Sequence, residues 1–412
     1  MEHVYSSIDI GSDTIKIVVC ELYKNHLNLL AACQKPARGI KKGLIVDPNA
    51  ARESIKEAFD EIEDMLGIEI KKVITSVPSY LSEYKIIKGE TEVAGEIITA
   101  SDMTNSYKSG IKAVLKPDYE FVTLVPIDFK INDKTIMKDP KDFPGNKLMG
   151  RAMMVMAPKK NVYSVASILE SLDIEVEDVS VSSISDMNSF KNKEIENDIG
   201  AIINMGAETT TINLYNKGIP VNTKIITMGG KDIDNDIAYM YKISFEEAKK
   251  IKEKFALATK QSANAKDIYE TTNLEGEKIK INQQEVSEIA MCRIDEILTL
   301  VKNELNGLTN RPIKYIIVTG GVSNMINIET LIHNNLGPRA YIGNIKLVGA
   351  RNNKYSTALG NIIYFIGTLK LKGQDYTMLS KREMDIISSP NKRLNISDET
   401  MLGKVFGYFF GE

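Results

Sequence analysis

The stretch Asp198–Tyr215, DIGAIINMGAETTTINLY, sets the expectation for the fold of this 412-residue chain. A β-branched run, Ala201–Ile203, leads into a turn around Gly206, and a second alternating run, Ile212–Tyr215, follows it. Two such runs around a short glycine-containing turn predict a β-hairpin.

The N-terminal stretch Ile8–Val19 repeats this pattern around Gly11. Placing Gly11 on Gly206 also aligns other positions, namely Asp9 with Asn204, Asp13 with Glu208, Thr14 with Thr209 and Ile17 with Ile212. One such hairpin in each half of the chain predicts two related lobes that face each other. The alternative is two unrelated hairpins, because short β patterns also recur by chance.

Length and composition limit the class of protein. The length predicts two to four domains at roughly 150 residues each. The net charge of −3 gives no support for general nucleic-acid binding. The cysteines and histidines are scattered along the chain and give no support for a zinc site, a Ser-His-Asp triad or a CxxC motif. They are Cys20, Cys33, Cys292, His3, His26 and His333. No signal peptide and no apolar run of ~20 residues is evident, so we expect a cytosolic protein unless something attaches it to a membrane.

The order of elements predicts an α/β protein with an insertion. A hairpin, a strand, a helix and another strand follow one another up to Val77, as in α/β folds. The next stretch predicts a small α+β module with one helix at Thr99–Leu115, capped by Ser101. We expect the first-lobe core to comprise 1–78, 158–196 and part of 350–372, with 79–157 as the inserted module. The second-lobe core is expected at 197–230 and 307–350, with 231–306 as its outer subdomain. The chain is expected to end with a flexible linker at 373–399 and a terminal helix at 400–412.

The last segment, Met401–Phe410, predicts an amphipathic helix. At ~100° per residue, one broad apolar arc is formed by Met401, Leu402, Val405, Phe406, Phe409 and Phe410. Lys404 lies opposite, where it would attract anionic lipid. A large apolar face on a short helix after a linker is typical of an interfacial membrane anchor. The alternative is a tail that docks on its own globular domain.

Three glycine-containing turns, at Gly11, Gly206 and Gly320-Gly321, follow predicted strands. Turns with exposed backbone N–H groups bind anions. Asp9, just before its turn, is suited to hold Mg²⁺ through water, and Lys16 is suited to reach a phosphate oxygen.

These stretches resemble the motifs of the actin/Hsp70/sugar-kinase superfamily. Ile8–Lys16 and Ile202–Thr210 resemble its two phosphate motifs, and Val318–Asn324 resembles its adenosine motif. The resemblance implies ATP with Mg²⁺ in a cleft between two lobes. On this resemblance the nucleotide is expected to contact Asp9, Gly11, Ser12, Asp13, Thr14, Lys16, Asn204, Gly206, Ala207, Glu208, Thr209, Thr210, Gly230, Asp232, Lys249, Lys252, Glu253, Gly320, Gly321, Val322 and Asn324.

The resemblance narrows to the FtsA family of bacterial cell-division proteins and covers nearly the whole chain. It is carried by Ser76–Ser79, Ile98–Asp102, Val125–Phe129, Asp139-Pro140, Pro144–Leu148 and the apolar C-terminal helix. It implies an actin-like, filament-forming protein that tethers the ring protein FtsZ to the cytoplasmic face of the plasma membrane at the division site, together with other division proteins. The FtsZ tail would bind the outer subdomain of the second lobe, for which Lys249, Lys250 and Arg293 are basic candidates.

Three residues depart from the family pattern in the second phosphate motif. Asn204 stands where the family has an aspartate, and Ala207 and Glu208 stand where it has glycines. An amide cannot act as a base as a carboxylate does. We therefore expect ATP binding with weak or absent hydrolysis and assign no catalytic residue.

Two other functions stay open at this point. A small-molecule kinase of the same superfamily would need a carboxylate base, for which Asp128 and Asp186 are candidates by position alone. An actin-like scaffold of a type IV pilus machine shares the inserted module. The apolar tail argues against both.

Overall fold

The chain forms two lobes and an inserted module, and the computed structural model describes residues 3–388. The first stretch contains β1 (His3–Ile10), β2 (Thr14–Tyr23), β3 (His26–Pro36), β4 (Ile40–Lys41), β5 (Leu44–Ile45), α1 (Pro48–Leu66) and β6 (Lys72–Val77). The inserted module contains β7 (Glu83–Glu92), α2 (Ala100–Lys112), β8 (Tyr119–Ile131), β9 (Thr135–Met137) and β10 (Lys147–Pro158). The chain then returns to the first lobe with α3 (Lys159–Glu170), β11 (Glu175–Val181), α4 (Ser182–Phe190) and α5 (Lys193–Asn197).

The second lobe follows, and the last two helices return to the first. Its strands and helices are β12 (Ile199–Met205), β13 (Thr210–Asn216), β14 (Ile219–Ile226), α6 (Gly230–Tyr241), α7 (Phe245–Lys254), β15 (Ile268–Thr272), β16 (Lys278–Asn282), α8 (Gln283–Leu308), β17 (Tyr315–Thr319), α9 (Ile328–Leu336) and β18 (Ala340–Ile342). The last helices are α10 (Ser356–Lys372) and α11 (Lys381–Ser388). The terminal helix expected at 400–412 lies outside the described residues.

The two lobes share one sheet topology. The first sheet has the order β11-β6-β1-β2-β3 and the second has the order β18-β17-β12-β13-β14. In each sheet the first hairpin is antiparallel, and its first strand pairs in parallel with a later strand. The α/β class and the repeat expected from the sequence are therefore confirmed as two related lobes.

An apolar core between the two sheets holds the lobes together. It combines first-lobe side chains such as Tyr5 and Val18 with second-lobe side chains such as Ile202 and Tyr315, and α10 supplies Ile362 among others. Helices α4 and α10 cross so closely in this layer that a Cβ on Gly360 would overlap the carbonyl of Ser185.

The inserted module is a four-stranded sheet, β7-β10-β8-β9, covered by α2. Its helix differs from the expected Thr99–Leu115 with Ser101 as cap. Thr99 is the N-cap, and it exchanges hydrogen bonds with Asp102 in a capping box. The helix starts at Ala100 because this reciprocal pair satisfies backbone N–H groups that Ser101 would leave open.

The stretch 374–388 packs on the first lobe, unlike the flexible linker expected across 373–399. The backbone N–H of Met378 donates to the Val4 carbonyl at 2.9 Å, and Thr377 Oγ1 accepts from the Val4 N–H at 2.9 Å. Met378 is buried in the core between the two sheets, and Leu379 is buried in the core of the first lobe. The sequence shows no period here because single anchoring residues, rather than a continuous apolar face, make the contacts.

Candidate functional site

The two hairpin turns have the same backbone hydrogen bond. The Gly11 N–H donates to the Thr14 carbonyl at 3.2 Å, and the Gly206 N–H donates to the Thr209 carbonyl at 2.9 Å. A Cβ on either glycine would lie 2.9 or 3.0 Å from that carbonyl oxygen. The correspondence between Gly11 and Gly206 in the sequence is thus also a correspondence of geometry.

The start of α6 docks on the second turn. The N–H groups of Gly230 and Lys231 donate to the carbonyls of Gly206 and Ala207 at 2.9 and 2.8 Å. A Cβ on Gly229 would lie 2.5 Å from the Gly206 carbonyl oxygen, so the close approach depends on glycine. Asp232, which is expected at the nucleotide, accepts the Gly229 N–H at 2.7 Å and caps α6.

The third turn follows β17 and lies against the second. Gly320 has φ of +92°, and a Cβ there would lie 2.5 Å from Asn204 Oδ1. The Asn324 amide donates to the carbonyls of Gly320 and Gly321 at 3.1 Å, which holds this turn. Val322 is buried. Gly320 thus approaches Asn204 closely, and the adenosine-type turn lies next to the second phosphate-type turn.

Four carboxylates in or near these turns each have a lysine partner. The closest N–O distances are 2.9 Å for Asp9–Lys16 and 2.8 Å for Asp13–Lys249, Glu208–Lys231 and Asp234–Lys252. Four carboxylates thus meet four lysines. An anion that enters this cleft meets balanced charge rather than the excess of positive charge that phosphate binding favours.

Two of these groups have shifted pKa values. Burial lowers the pKa of Lys249, but the hydrogen bond and charge of Asp13 more than offset this, and the pKa lies above its usual value. The nearby exposed Glu253 acts in the same direction. Burial raises the pKa of Asp234, and Lys252 opposes the shift.

A buried polar network lies behind Asn204. The Asn204 amide donates to Asp186 Oδ2 at 2.7 Å, and the hydroxyls of Ser356 and Thr357 donate to Asp186 Oδ1 at 2.9 Å. Burial raises the pKa of Asp186 to about 6, against the effect of these hydrogen bonds. Both oxygens of Asp186 are engaged, so it does not present a base to a substrate.

The structure brings most of the expected residues to one place between the lobes. The three turns, the start of α6 and the lysines of α7 are linked by the contacts described above. Thr210 is buried and donates to the Met228 carbonyl at 3.0 Å, which ties the second turn to the approach of α6. Sequence reasoning missed Lys231, although its position just after Gly229-Gly230 at a helix start was a usable signal.

The backbone of this cleft has the elements of a phosphate site, and a single carboxylate is expected at Mg²⁺. Glycine turns follow two strands, and a helix start docks on the second turn. Such elements bind phosphates through backbone N–H groups, although the N–H groups of Gly11, Gly206, Gly230 and Lys231 donate within the protein. Within residues 3–388 no group of three or more His, Cys, Asp or Glu side chains could hold a metal ion. Asp9 is the expected carboxylate for Mg²⁺, and its Oδ2 accepts a hydrogen bond from Lys16.

Solved structures place this fold in the actin-like class. A PilM–PilN type IV pilus biogenesis complex has a TM-score of 0.59 at 15% identity, over 88% of this chain and 98% of that chain. MreB5 of Spiroplasma citri bound to ADP has a TM-score of 0.55 at 14% identity, over 89% of this chain and 98% of that chain. At these identities the likeness concerns the fold alone.

Within that class the chain is similar to FtsA. A family model described as cell division protein FtsA matches residues 201–360. FtsA of Bacillus subtilis (strain 168) is 27% identical over 376 residues, which cover 90% of this chain and 85% of that protein. FtsA of Streptococcus pneumoniae serotype 2 (strain D39) is 28% identical over 373 residues, which cover 89% and 81%. The resemblance expected from the motifs is confirmed.

None of the helices within residues 3–388 is both long and apolar enough to cross a bilayer.

Proposed function

We propose that this chain is an actin-like division protein that tethers FtsZ filaments to the cytoplasmic face of the plasma membrane and assembles into filaments itself. The observation that carries the proposal is the similarity to FtsA along 90% of the chain, inserted module included. The proposed division keeps the boundaries expected from the sequence, except that the first lobe extends to Ser388.

The proposed nucleotide is ATP with Mg²⁺, bound by the backbone turns at Gly11 and Gly206. Lys16, Lys231 and Lys249 are its cationic groups, and each must release a carboxylate partner to contact a phosphate. Asp9 holds Mg²⁺ through water. Hydrolysis is weak or absent because Asn204 offers an amide that already donates to Asp186.

The proposed FtsZ site is a groove of about 360 Å³ between α6 and α8. It is lined by Asp236, Tyr239, Met240, Glu288, Ile289, Cys292, Arg293 and Glu296. Of the basic candidates, Lys249 is paired with Asp13 and Lys250 with Glu247, whereas Arg293 lies on the groove. Arg293 binds Asp236 and Glu296, so apolar contacts with Tyr239 and Met240 carry the recognition.

Peptide binding tests this site. Tyr239 is 88% exposed, so truncating it removes a contact surface without opening the core. We expect Tyr239→Ala in the full chain to weaken binding of an FtsZ C-terminal peptide at least about tenfold in fluorescence anisotropy, as for a central aromatic contact. Tyr163→Ala, an exposed tyrosine on α3, is the matched control. Equal affinities for both variants would exclude the groove.

The proposed membrane anchor is the segment Met401–Phe410, which lies outside the described residues. Phe406, Phe409 and Phe410 form the centre of its apolar arc. Their burial in lipid is worth several kcal/mol at about 25 cal/mol per Å². Full-length protein should therefore sediment with anionic liposomes, and full-length Phe406→Glu should not.

The companion truncation ends at Ser388, because a cut at Lys372 would remove the buried Met378 and Leu379. We expect the truncated chain to stay soluble beside liposomes and to keep its peptide affinity. Unchanged sedimentation of Phe406→Glu would show that the terminal segment is not the anchor. Loss of peptide binding by the truncated chain would show that the tail belongs to the peptide site.

The kinase alternative lacks a base among its candidates. Both oxygens of Asp186 accept hydrogen bonds from neighbouring side chains, and Arg151 binds both oxygens of Asp128 on the inserted module. The pilus-scaffold alternative rests on likeness of fold. It would return if neither the full chain nor the truncated chain bound liposomes or the FtsZ peptide.

A further inference from the structure

Two acidic side chains occupy matching positions in the two phosphate-type turns. Asp13 lies two residues after Gly11, and Glu208 lies two residues after Gly206. Each binds a lysine of the second lobe: Asp13 receives two 2.8 Å hydrogen bonds from Lys249, and Glu208 receives one of 2.8 Å from Lys231. Both turns therefore carry an anion of their own where a phosphate motif is expected to receive one.

Three of the resulting contacts cross between the lobes. Lys249 on α7 reaches Asp13 in the first lobe. The Lys231 ammonium donates both to Glu208 and to the Ser12 carbonyl at 3.0 Å, so it stands between the two turns. From the other side, Glu208 Oε2 accepts the backbone N–H of Lys42 at 2.6 Å.

The side chains that make these contacts are partly buried. The side chains of Glu208 and Lys231 are 19% and 27% exposed, and those of Asp13 and Lys249 are 26% and 28% exposed. Ion pairs at this depth are screened less than pairs on the open surface. Their two carboxylates repel a further negative charge placed between the turns, whereas their two lysines attract it.

We propose that Asp13 and Glu208 hold the two lobes together through Lys249 and Lys231, and select against the most highly charged nucleotide. The inference rests on the proposed nucleotide cleft. A nucleotide that enters must take over the two lysines, and each added phosphate increases its repulsion by the two carboxylates. ADP then binds at least as tightly as ATP.

Distance measurement between the lobes tests closure directly. Cys292 is exposed on α8, whereas Cys20 and Cys33 are buried, so a spin label on Cys292 is selective. A second label at Glu53→Cys, exposed on α1, reports the first lobe. The full chain should give one narrow distance distribution that nucleotide leaves unchanged.

The variant D13N/E208Q keeps the shape of both side chains and removes their charge. We expect it to give a longer, broader distribution that returns to the original distance on addition of MgADP. The matched control is Glu270→Gln, in an exposed pair with Lys280, which should behave as the parent chain. A nucleotide-free D13N/E208Q chain with the parent distance would overturn the inference.

Calorimetric titration with ADP and ATP completes the test. D13N/E208Q should bind ATP at least tenfold more tightly than the parent, with a smaller gain for ADP. The variant K231M/K249M should open the cleft but bind both nucleotides more weakly, which separates loss of closure from gain of affinity. A parent chain that prefers ATP, with no change in D13N/E208Q, would refute the selectivity and leave the proposed function intact. If D13N/E208Q gave the longer distance but no variant bound ADP or ATP, the role of the two carboxylates in closing the lobes would stand. The proposed ATP site would then be refuted.

Discussion

The turns at Gly11 and Gly206 have one backbone geometry and different side-chain chemistry. In the first, Asp9 faces Lys16 on the neighbouring strand and binds it at 2.9 Å. In the second, the matching Asn204 faces Thr211 and donates instead to the buried Asp186. The hairpin sets the turn, whereas the elements packed behind it decide which side chain is tolerated there. Behind Asn204 the neighbouring side chain is the carboxylate of Asp186.

The largest expected effect comes from giving the second turn the acid of the first. Asn204→Asp would place a carboxylate 2.7 Å from Asp186 Oδ2, where the amide now donates. Loss of a hydrogen bond to a charged group and repulsion between like charges should together cost about 3 kcal/mol of the free energy of unfolding near pH 8. Denaturant unfolding monitored by circular dichroism measures it.

The second-site change Asp186→Asn is the control for this prediction. It removes the repelling charge and should restore most of the loss in Asn204→Asp. If Asn204→Asp were as stable as the parent at pH 8, the buried Asp186 could not be what separates the two turns.

The pH dependence of Asp186 sharpens the same comparison. Its folded-state pKa of about 6 lies above the ordinary value of 3.8, so between these values the folded chain binds more protons than the unfolded chain. The contribution of Asp186 to stability therefore falls as pH rises through this window. Relative to Asp186→Asn, the parent should lose about 2 kcal/mol of unfolding free energy between pH 4 and pH 7.

Other carboxyl groups with a raised pKa also make stability depend on pH. One of them is Asp178, because its burial raises its pKa to about 6. Comparison with the variant Asp186→Asn cancels their contributions. Unfolding free energies at several pH values measure the difference. If the difference in unfolding free energy between parent and variant stayed constant with pH, or changed in the opposite direction, the pKa of Asp186 would not be raised in the folded chain.

The docking of α6 distinguishes the second turn from the first. In Gly229→Ala the new Cβ would lie 2.5 Å from the Gly206 carbonyl oxygen and 2.7 Å from that of Ala207. Because both neighbours are backbone, we expect a loss of about 1.5 kcal/mol in unfolding free energy. Gly276→Ala is a poor control because of its φ of +82°, so Gly307→Ala, with open space around it, is used.

Hydrogen exchange of the Gly230 and Lys231 amides locates the effect of Gly229→Ala. These amides donate to the second turn and should lose protection in the variant. Unchanged protection together with parent stability would show that α6 does not need the close approach.

The smallest effects belong to the two cleft ion pairs, of which Asp13–Lys249 crosses between the lobes. Double-mutant cycles on Asp13–Lys249 and on Glu208–Lys231 should each give about 0.5–1 kcal/mol of coupling in unfolding free energy, decreasing at high salt. The exposed pair Glu270–Lys280 should give a coupling near zero. Coupling at the two cleft pairs no greater than at this surface pair would remove their role in joining the lobes.

Much of the fold could be predicted because its signals are local. The hairpins around Gly11 and Gly206 are set by alternating residues and a glycine turn. The helix expected at Thr99–Leu115 is likewise present, as Ala100–Lys112. The stretch 374–388 escaped prediction because two buried anchors, Met378 and Leu379, carry no periodicity.

The sequence by itself determined the repeat of two lobes, the three turns and the positions at which Asn204, Asp13 and Glu208 stand. Only the tertiary structure decided what these residues do. Asp13 meets Lys249 from 236 positions away, and Asp186 meets Thr357 from 171 positions away. A charge binds whatever the packed core brings within a few ångströms of it, and no local pattern in the chain records that neighbour.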